Sequence, residues 1–102
     1  MKPVLILGVE PRITVPIARS LHEHGILVDV ASISGADVNL RSRAIGKFWR
    51  LGYSEDQPSR FIEELRDLIS RNQYDMLIPA TDAALAALSP HDASLRQLLY
   101  LA

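Results

Sequence analysis

The chain contains no cysteine, a single tryptophan and no long hydrophobic run. Without thiols it can form neither a disulfide framework nor a thiolate zinc site. Its formal net charge is -1, so it lacks the positive field that draws a protein to nucleic acid or to an acidic membrane. The first apolar stretch, Pro3 to Leu7, ends at Gly8 and is too short for a signal peptide or a membrane span. We therefore expect a soluble, cytoplasmic protein that binds no nucleic acid and no membrane.

The sequence also lacks the motifs of common nucleotide sites. A dinucleotide fingerprint would need glycines at positions 8, 10 and 13, but the chain has Gly8, Glu10 and Ile13 there. The pair Gly46-Lys47 is not a phosphate loop, because Phe48 stands where Ser or Thr would bind magnesium. We therefore expect no NAD site and no Mg-ATP site in these residues.

No group of side chains typical of catalysis or metal binding is present in the sequence pattern. His22 and His24 lie two apart on a predicted helix and so point to different sides, and His91 is isolated. The acids at 63–67 form a solvated helix face rather than a catalytic pair. The sequence predicts surface histidines, no metal site and no catalytic residue.

The strongest positive feature is the apolar run Val4-Leu5-Ile6-Leu7, opened by Pro3 and closed by Gly8. A strand with no polar positions is typical of a parallel sheet, whose two faces are both covered. The length of 102 residues fits one domain, because a second unit would have too little apolar surface to bury. We expect residues 1–102 to form that single domain.

Strands and helices alternate along the chain. Apolar spacing and turn residues predict that the first strand is followed by a helix at 14–24, capped by Thr14, and by a second strand at 26–31. A loop at 32–39 and one helical turn at 40–45 then lead to an edge strand at 47–51. The rest of the chain is predicted to form a helix at 58–72, a strand at 75–79, a helix at 82–88 and a last apolar helical turn or two. This order predicts an α/β fold, a three-layer Rossmann-like parallel sheet of about four strands in the order 3-2-1-4 with helices on both faces.

Such a sheet opens a crevice where strands one and four end, because the connections that follow them leave toward opposite faces. Free N–H groups at the start of the first helix would favour a carboxylate or phosphate there. Arg12 is either a clamp for that anion or an ordinary solvent-facing arginine. The candidate substrate-binding residues follow the two strands: Gly8, Val9, Glu10, Arg12, Ala80, Thr81 and Asp82.

Two large aromatic residues near the sheet, Trp49 and Tyr74, are predicted to have structural roles. Trp49 on the third strand is predicted to pack under a helix, and the ring of Tyr74 is predicted to anchor the chain before the fourth strand. Ligand stacking by either residue is the less favoured alternative.

Several strings resemble the amino-terminal domain that precedes the ATP-grasp fold in carbamoyl-phosphate-synthase-like and other carboxylate-amine ligases. They are Val4-Leu5-Ile6-Leu7-Gly8, Ala18-Arg19-Ser20-Leu21-His22 with Gly25, Ser42-Arg43-Ala44 leading to Phe48-Trp49-Arg50-Leu51, and Asp75-Met76-Leu77-Ile78-Pro79. The resemblance implies a Rossmann-like domain without a cofactor of its own, which packs on a downstream ATP-grasp domain that binds ATP and magnesium. It departs from the family pattern at Ser32 and Ala83, where the family often has acids.

The expected function is therefore the substrate-side domain of an ATP-grasp carbon-nitrogen ligase, not catalytic alone. Its expected partners are the downstream domain of the same chain and a small carboxylate substrate, held by residues 8–12 and 80–82. The chain stops at Ala102 within an apolar pattern, which predicts a fragment of a longer protein. The alternative is a stand-alone binding or assembly module without enzymatic activity, whose end at 98–101 joins a partner such as a second copy in a homodimer.

Overall fold

A computed structural model describes residues 3–33, 43–52, 56–97 and 99–101 of the chain. The elements follow one another in the order β1 (Val4–Leu7), α1 (Pro11–Glu23), β2 (Val28–Ser32), β3 (Phe48–Arg50), α2 (Pro58–Asn72), β4 (Met76–Pro79), α3 (Asp82–Leu88), a 3₁₀ turn (Ser89–His91), α4 (Asp92–Arg96) and β5 (Tyr100–Leu101). The predicted loop at 32–39 begins later than expected, because Ser32 still belongs to β2; its residues 34–39 and the first residues of the predicted turn at 40–45 lie outside the described ranges.

The strands form one parallel sheet in the order β3-β2-β1-β4-β5. This confirms the predicted α/β class and the predicted strand order 3-2-1-4. β1 lies in the middle, pairing with β2 through Val4 and Val28 and with β4 through Val4 and Met76. All of β1 is buried, as expected for an apolar strand without a polar face.

Helices cover both faces of the sheet. Ile6 and Val30 pack with Ala18 of α1 on one face. Leu5 and Leu7 pack on the opposite face with residues of the other three helices: Phe61, Leu65, Ala84, Leu88 and Leu95. Since α1 leaves β1 toward one face and α3 leaves β4 toward the other, the chain has a topological switch point between these two neighbouring strands.

A fifth strand, β5, extends the sheet beyond the prediction. Tyr100 pairs with Met76 and Leu101 with Leu77, along the edge of β4. The leucines near this end follow a helical spacing in the sequence, but α4 ends at Arg96 and the chain becomes extended. A strand of two residues leaves almost no local pattern, because it is defined by its pairing with β4 rather than by its own sequence.

The first helix also begins earlier than predicted. α1 starts at Pro11 with Glu10 as its N-cap, whereas the sequence predicts a start at Thr14. Pro is well suited to the first helical position, because that residue has no intrahelical partner for an N–H group. Thr14 is fully buried, and its hydroxyl oxygen accepts a hydrogen bond from the Glu10 N–H and donates to the Gly8 carbonyl.

A buried hydrogen-bond network joins β2, β3 and the segment before β4. Asp29 is 8% exposed, and its carboxylate accepts hydrogen bonds from the Tyr74 hydroxyl at 2.5 Å and from the Lys47 backbone N–H at 2.8 Å. The Tyr74 hydroxyl accepts a hydrogen bond from Trp49 Nε1 at 2.9 Å. Burial raises the pKa of Tyr74, and the hydrogen bond to Asp29 raises it further. The structural roles predicted for Trp49 and Tyr74 are confirmed, with hydrogen bonds added to ring packing.

None of the helices in the described part of the chain is long and apolar enough to cross a lipid bilayer.

Candidate functional site

The turns after β1 and β4 meet at the carboxyl edge of the sheet and enclose a crevice of about 390 Å³. This is the switch point of the sheet, where α/β proteins of this architecture bind ligands. Two sets of residues line it, one from each turn and the helix that follows: Val9, Glu10 and Ile13 on one side, and Pro79, Ala80, Thr81, Asp82 and Leu85 on the other. We call this space the switch-point crevice.

The floor of the switch-point crevice depends on a close approach between the two turns. Gly8 has φ of +101°, and a Cβ atom built there would lie 2.7 Å from Thr81 Oγ1. Backbone hydrogen bonds fix the same region, from the Gly8 N–H to the Ala31 carbonyl and from the Ala80 N–H to the Leu7 carbonyl, both at 2.8 Å. Only glycine at position 8 lets the turns come this near without strain.

Glu10 occupies the amino end of α1. Its side chain accepts a hydrogen bond from the Arg12 N–H at 3.1 Å, while its carbonyl accepts from the N–H groups of Ile13 and Thr14. Pro11, the first residue of the helix, has no N–H group. The prediction that free N–H groups here await a carboxylate or phosphate is therefore wrong, because the protein's own carboxylate and carbonyl already accept these hydrogen bonds.

The other rim of the switch-point crevice is formed by the start of α3. Thr81 caps this helix, and its hydroxyl oxygen accepts a hydrogen bond from the Ala84 N–H at 3.0 Å. Asp82 follows in the first turn and is exposed. The crevice thus has an acid on each side, Glu10 and Asp82, and none of the described residues that line it is Lys, Arg or His.

Apolar side chains form the remaining walls. Ile13 and Leu85 are 45% and 56% exposed, which is high for large apolar residues on packed helices. They face the crevice from the first turns of α1 and α3, together with Val9 and Pro79. An apolar interior with a small number of polar groups at its rim is typical of a small-molecule site.

The structure brings together most of the predicted site residues. Val9, Glu10, Ala80, Thr81 and Asp82 line the crevice. Gly8 lies against Thr81 at its base. The exposed Arg12 is not among the lining residues, so its predicted role as a clamp for an anion is not supported. Its backbone N–H instead donates a hydrogen bond to the side chain of Glu10.

Sequence reasoning missed the apolar walls. Ile13 reads as a member of the buried stripe of the first helix, because it precedes Ile17 and Leu21 at intervals of four. In the sequence, Leu85 is an apolar residue within the predicted alanine-rich helix at 82–88, with nothing to mark it as part of a site. The available signal was their position, since both fall in the first turn of a helix that follows a buried strand.

The cap at Thr81 gives a first testable expectation. Thr81→Ala should lower the free energy of unfolding by about 1 kcal/mol, because the Ala84 N–H loses its partner at the start of α3. Urea denaturation would measure this loss. Thr81→Ser is the matched control, since it keeps the accepting oxygen; a loss as large for serine as for alanine would contradict the cap as the cause.

The fold and the crevice define a class: this is a Rossmann-like α/β domain with a crevice at its switch point. A solved structure that resembles it is that of the Bordetella bronchiseptica enzyme WbmH in complex with NAD+, with 23% sequence identity and a TM-score of 0.45. The match covers 79% of this chain and 26% of the WbmH chain, so the present chain spans about a quarter of that enzyme. No family model and no curated protein matches the sequence.

These comparisons correct the family expected from the sequence strings. WbmH is described as an enzyme in complex with NAD+, not as an ATP-grasp ligase, and no family model matches the chain. The identification as a carbamoyl-phosphate-synthase-like, pre-ATP-grasp domain is therefore wrong. The strings behind it are packing positions of a Rossmann-like sheet, which fit the fold without defining a family.

Proposed function

We propose that this chain is a ligand-binding Rossmann-like domain that holds a small molecule in the switch-point crevice. The ligand has an apolar body and an uncharged or cationic polar group. The domain binds and orients this molecule, and chemistry on it takes place through groups from outside these residues.

The observation that carries the proposal is the cap formed by Glu10. A phosphate or carboxylate bound at this end of α1 would need N–H donors that already serve Glu10. It would also meet the carboxylates of Glu10 and Asp82, and the described part of the crevice wall offers no cation to offset them. An ammonium or hydroxyl group instead finds acceptors on both rims, while Ile13 and Leu85 offer apolar contact to the rest of the ligand.

The same charges bear on the alternatives. A dinucleotide such as NAD+ requires its pyrophosphate at the first turn of the helix after β1, where the Glu10 carboxylate lies. The small carboxylate substrate expected from the sequence meets the same repulsion. Both become outcomes of a binding experiment rather than parts of the proposal.

A matched series of probes tests the proposal. Cyclohexylmethylamine, cyclohexylmethanol and cyclohexanecarboxylate share an apolar ring and differ in the charge of the polar group. Titrations of the ¹⁵N-labelled chain followed by NMR should place the amine and the alcohol at the amides of Val9 and Thr81, with the amine bound severalfold more tightly than the carboxylate. NAD+ should leave these amides unchanged.

Charge variants sharpen the same experiment. Glu10→Gln and Asp82→Asn should each weaken the amine about two- to fivefold, the range expected for a partly exposed charge pair. Glu63→Gln, an exposed acid on α2 outside the crevice, is the control and should change nothing. The proposal fails if none of the probes shifts the crevice amides, or if the carboxylate or NAD+ binds there most tightly.

Other expectations stay predictions beside this proposal. They are a cytoplasmic location, a homodimer, a stand-alone assembly module and a longer native chain. Light scattering and mass spectrometry of the native gene product would test the last three.

A further inference from the structure

A second cavity lies at the opposite end of the sheet from the switch-point crevice. Its volume is about 380 Å³, nearly the same as that of the crevice. Its walls come from the last turn of α1, the start of β2 and the segment before β3. We call it the lower cavity; no part of the proposed function uses it.

Three basic side chains line the lower cavity: His22 from α1, and Arg43 and Lys47 from the segment before β3. All three are exposed, and the two ion pairs of α2, Arg60 with Glu64 and Arg71 with Asp67, do not involve them. The Lys47 ammonium lies 5.7 Å from the centroid of the Trp49 ring, a cation–π contact that restrains the side chain and leaves its charge unneutralised. The positive charges of Arg43 and Lys47 therefore lie beside one space.

The acidic residue in the wall of the lower cavity, Asp29, already accepts hydrogen bonds from the protein. Asp29 accepts from the Tyr74 hydroxyl and from the Lys47 backbone N–H, within the buried network described above. The Tyr74 hydroxyl is protonated at neutral pH and donates to this carboxylate, and its raised pKa keeps it protonated into the alkaline range. The Asp29 carboxylate is thus engaged in the protein interior, and among the described residues that line the cavity Arg43 and Lys47 outnumber it.

The remaining wall is apolar. Leu27 is 66% exposed and stands at the rim, with Val28 and Ala44 buried below it. A single exposed leucine is common on protein surfaces, but Leu27 here continues the apolar wall that Val28 and Ala44 form in the cavity. Convergent cations above an apolar wall match an organic anion with a hydrophobic body.

We propose that the lower cavity is a second binding site, which takes a small organic anion such as a carboxylate or phosphate monoester attached to an apolar ring. Arg43 and Lys47 bind the anionic group, and Leu27 and Ala44 contact the ring. The two ends of the sheet then select ligands of opposite charge, acidic at the switch-point crevice and basic at the lower cavity.

The same cyclohexane probes test this site through different amides. Cyclohexanecarboxylate should shift the amides of Gly46 and Lys47, and cyclohexylmethylamine should not. Arg43→Gln and Lys47→Gln should each raise the dissociation constant of the carboxylate about three- to tenfold, and high salt should weaken it in the unmodified chain. Arg19→Gln, an exposed arginine of α1 outside the cavity, should leave it unchanged.

Each result decides between outcomes. Loss of carboxylate binding in both cavity variants but not in Arg19→Gln, with unchanged thermal unfolding, supports the site. No shift at Gly46 and Lys47, or equal affinity for the amine and the carboxylate there, overturns it. Binding in the switch-point crevice is followed at the amides of Val9 and Thr81, and binding in the lower cavity at those of Gly46 and Lys47. The two proposals are therefore tested independently of each other.

Discussion

Tyr74→Phe is expected to lower the free energy of unfolding by about 2–3 kcal/mol, the range for a hydrogen bond to a buried charged group. The substitution removes only the hydroxyl that donates to Asp29 and accepts from Trp49. The Asp29 carboxylate would then keep the Lys47 backbone N–H as a partner but remain 8% exposed, with an unmet acceptor in the interior. Guanidinium denaturation at neutral pH measures the loss.

A double-mutant cycle separates this effect from simple packing. In the Asp29→Asn background, Tyr74→Phe should cost clearly less, because the neutral amide depends less on the missing donor. The coupling energy between the two positions is expected to exceed about 1 kcal/mol. Additive losses would show that the hydroxyl and the carboxylate do not act together.

The raised pKa of Tyr74 also predicts a dependence on pH. The folded state favours the protonated hydroxyl, so its contribution is complete below about pH 10, the ordinary value for tyrosine, and is lost as pH rises above it. The unmodified chain should therefore lose stability faster than Tyr74→Phe in the alkaline range, by up to about 1.4 kcal/mol per pH unit. Parallel pH profiles for the two proteins would contradict the buried hydrogen bond.

The sheet topology was predictable because its signals are local. Val4 to Leu7 has no polar position, which indicates a strand covered on both sides, and the order of strands and helices then limits the connections to few arrangements. The switch point between β1 and β4 follows from that order. Most of the candidate site could therefore be named from the sequence as the residues that follow two neighbouring strands.

The charge preference of the site could not be predicted in the same way. Glu is not among the favoured N-cap residues, so the sequence favoured Thr14 as the start of the helix. Pro11 was the available signal for an earlier start. With Glu10 as the cap, the N–H groups in the first turn of α1 already have acceptors, and a carboxylate stands where the sequence predicts an anion site.

Contacts between residues far apart in the sequence could not be predicted either. The hydroxyl of Tyr74 reaches a carboxylate 45 residues away, and β5 exists only through its pairing with β4. A polar Asp29 inside an otherwise apolar strand does signal a buried partner, but not which one. The family assignment failed for a related reason, since apolar strings report how a sheet packs and not what it binds.

Gly8→Ala should be the most damaging small substitution in the chain, with an expected loss of about 3 kcal/mol in the free energy of unfolding. Part of the loss is backbone strain, because Gly8 has φ of +101° and L residues rarely adopt such a value. The rest is the clash of the new methyl group with Thr81, whose Oγ1 would lie 2.7 Å away. Relief of this clash would push the two turns apart and widen the switch-point crevice.

Gly25→Ala is the matched control, because it isolates the strain. Gly25 also has a positive φ, of +76°, but a Cβ atom there would meet nothing within 4 Å. It should cost only about 1 kcal/mol and leave binding of cyclohexylmethylamine intact, whereas Gly8→Ala should weaken the amine as well. Thr81→Gly in the Gly8→Ala background removes the clashing atoms and should recover part of the stability, since glycine is an acceptable N-cap. Equal losses for the two glycine variants would mean that the approach of Gly8 to Thr81 does not hold the two turns together.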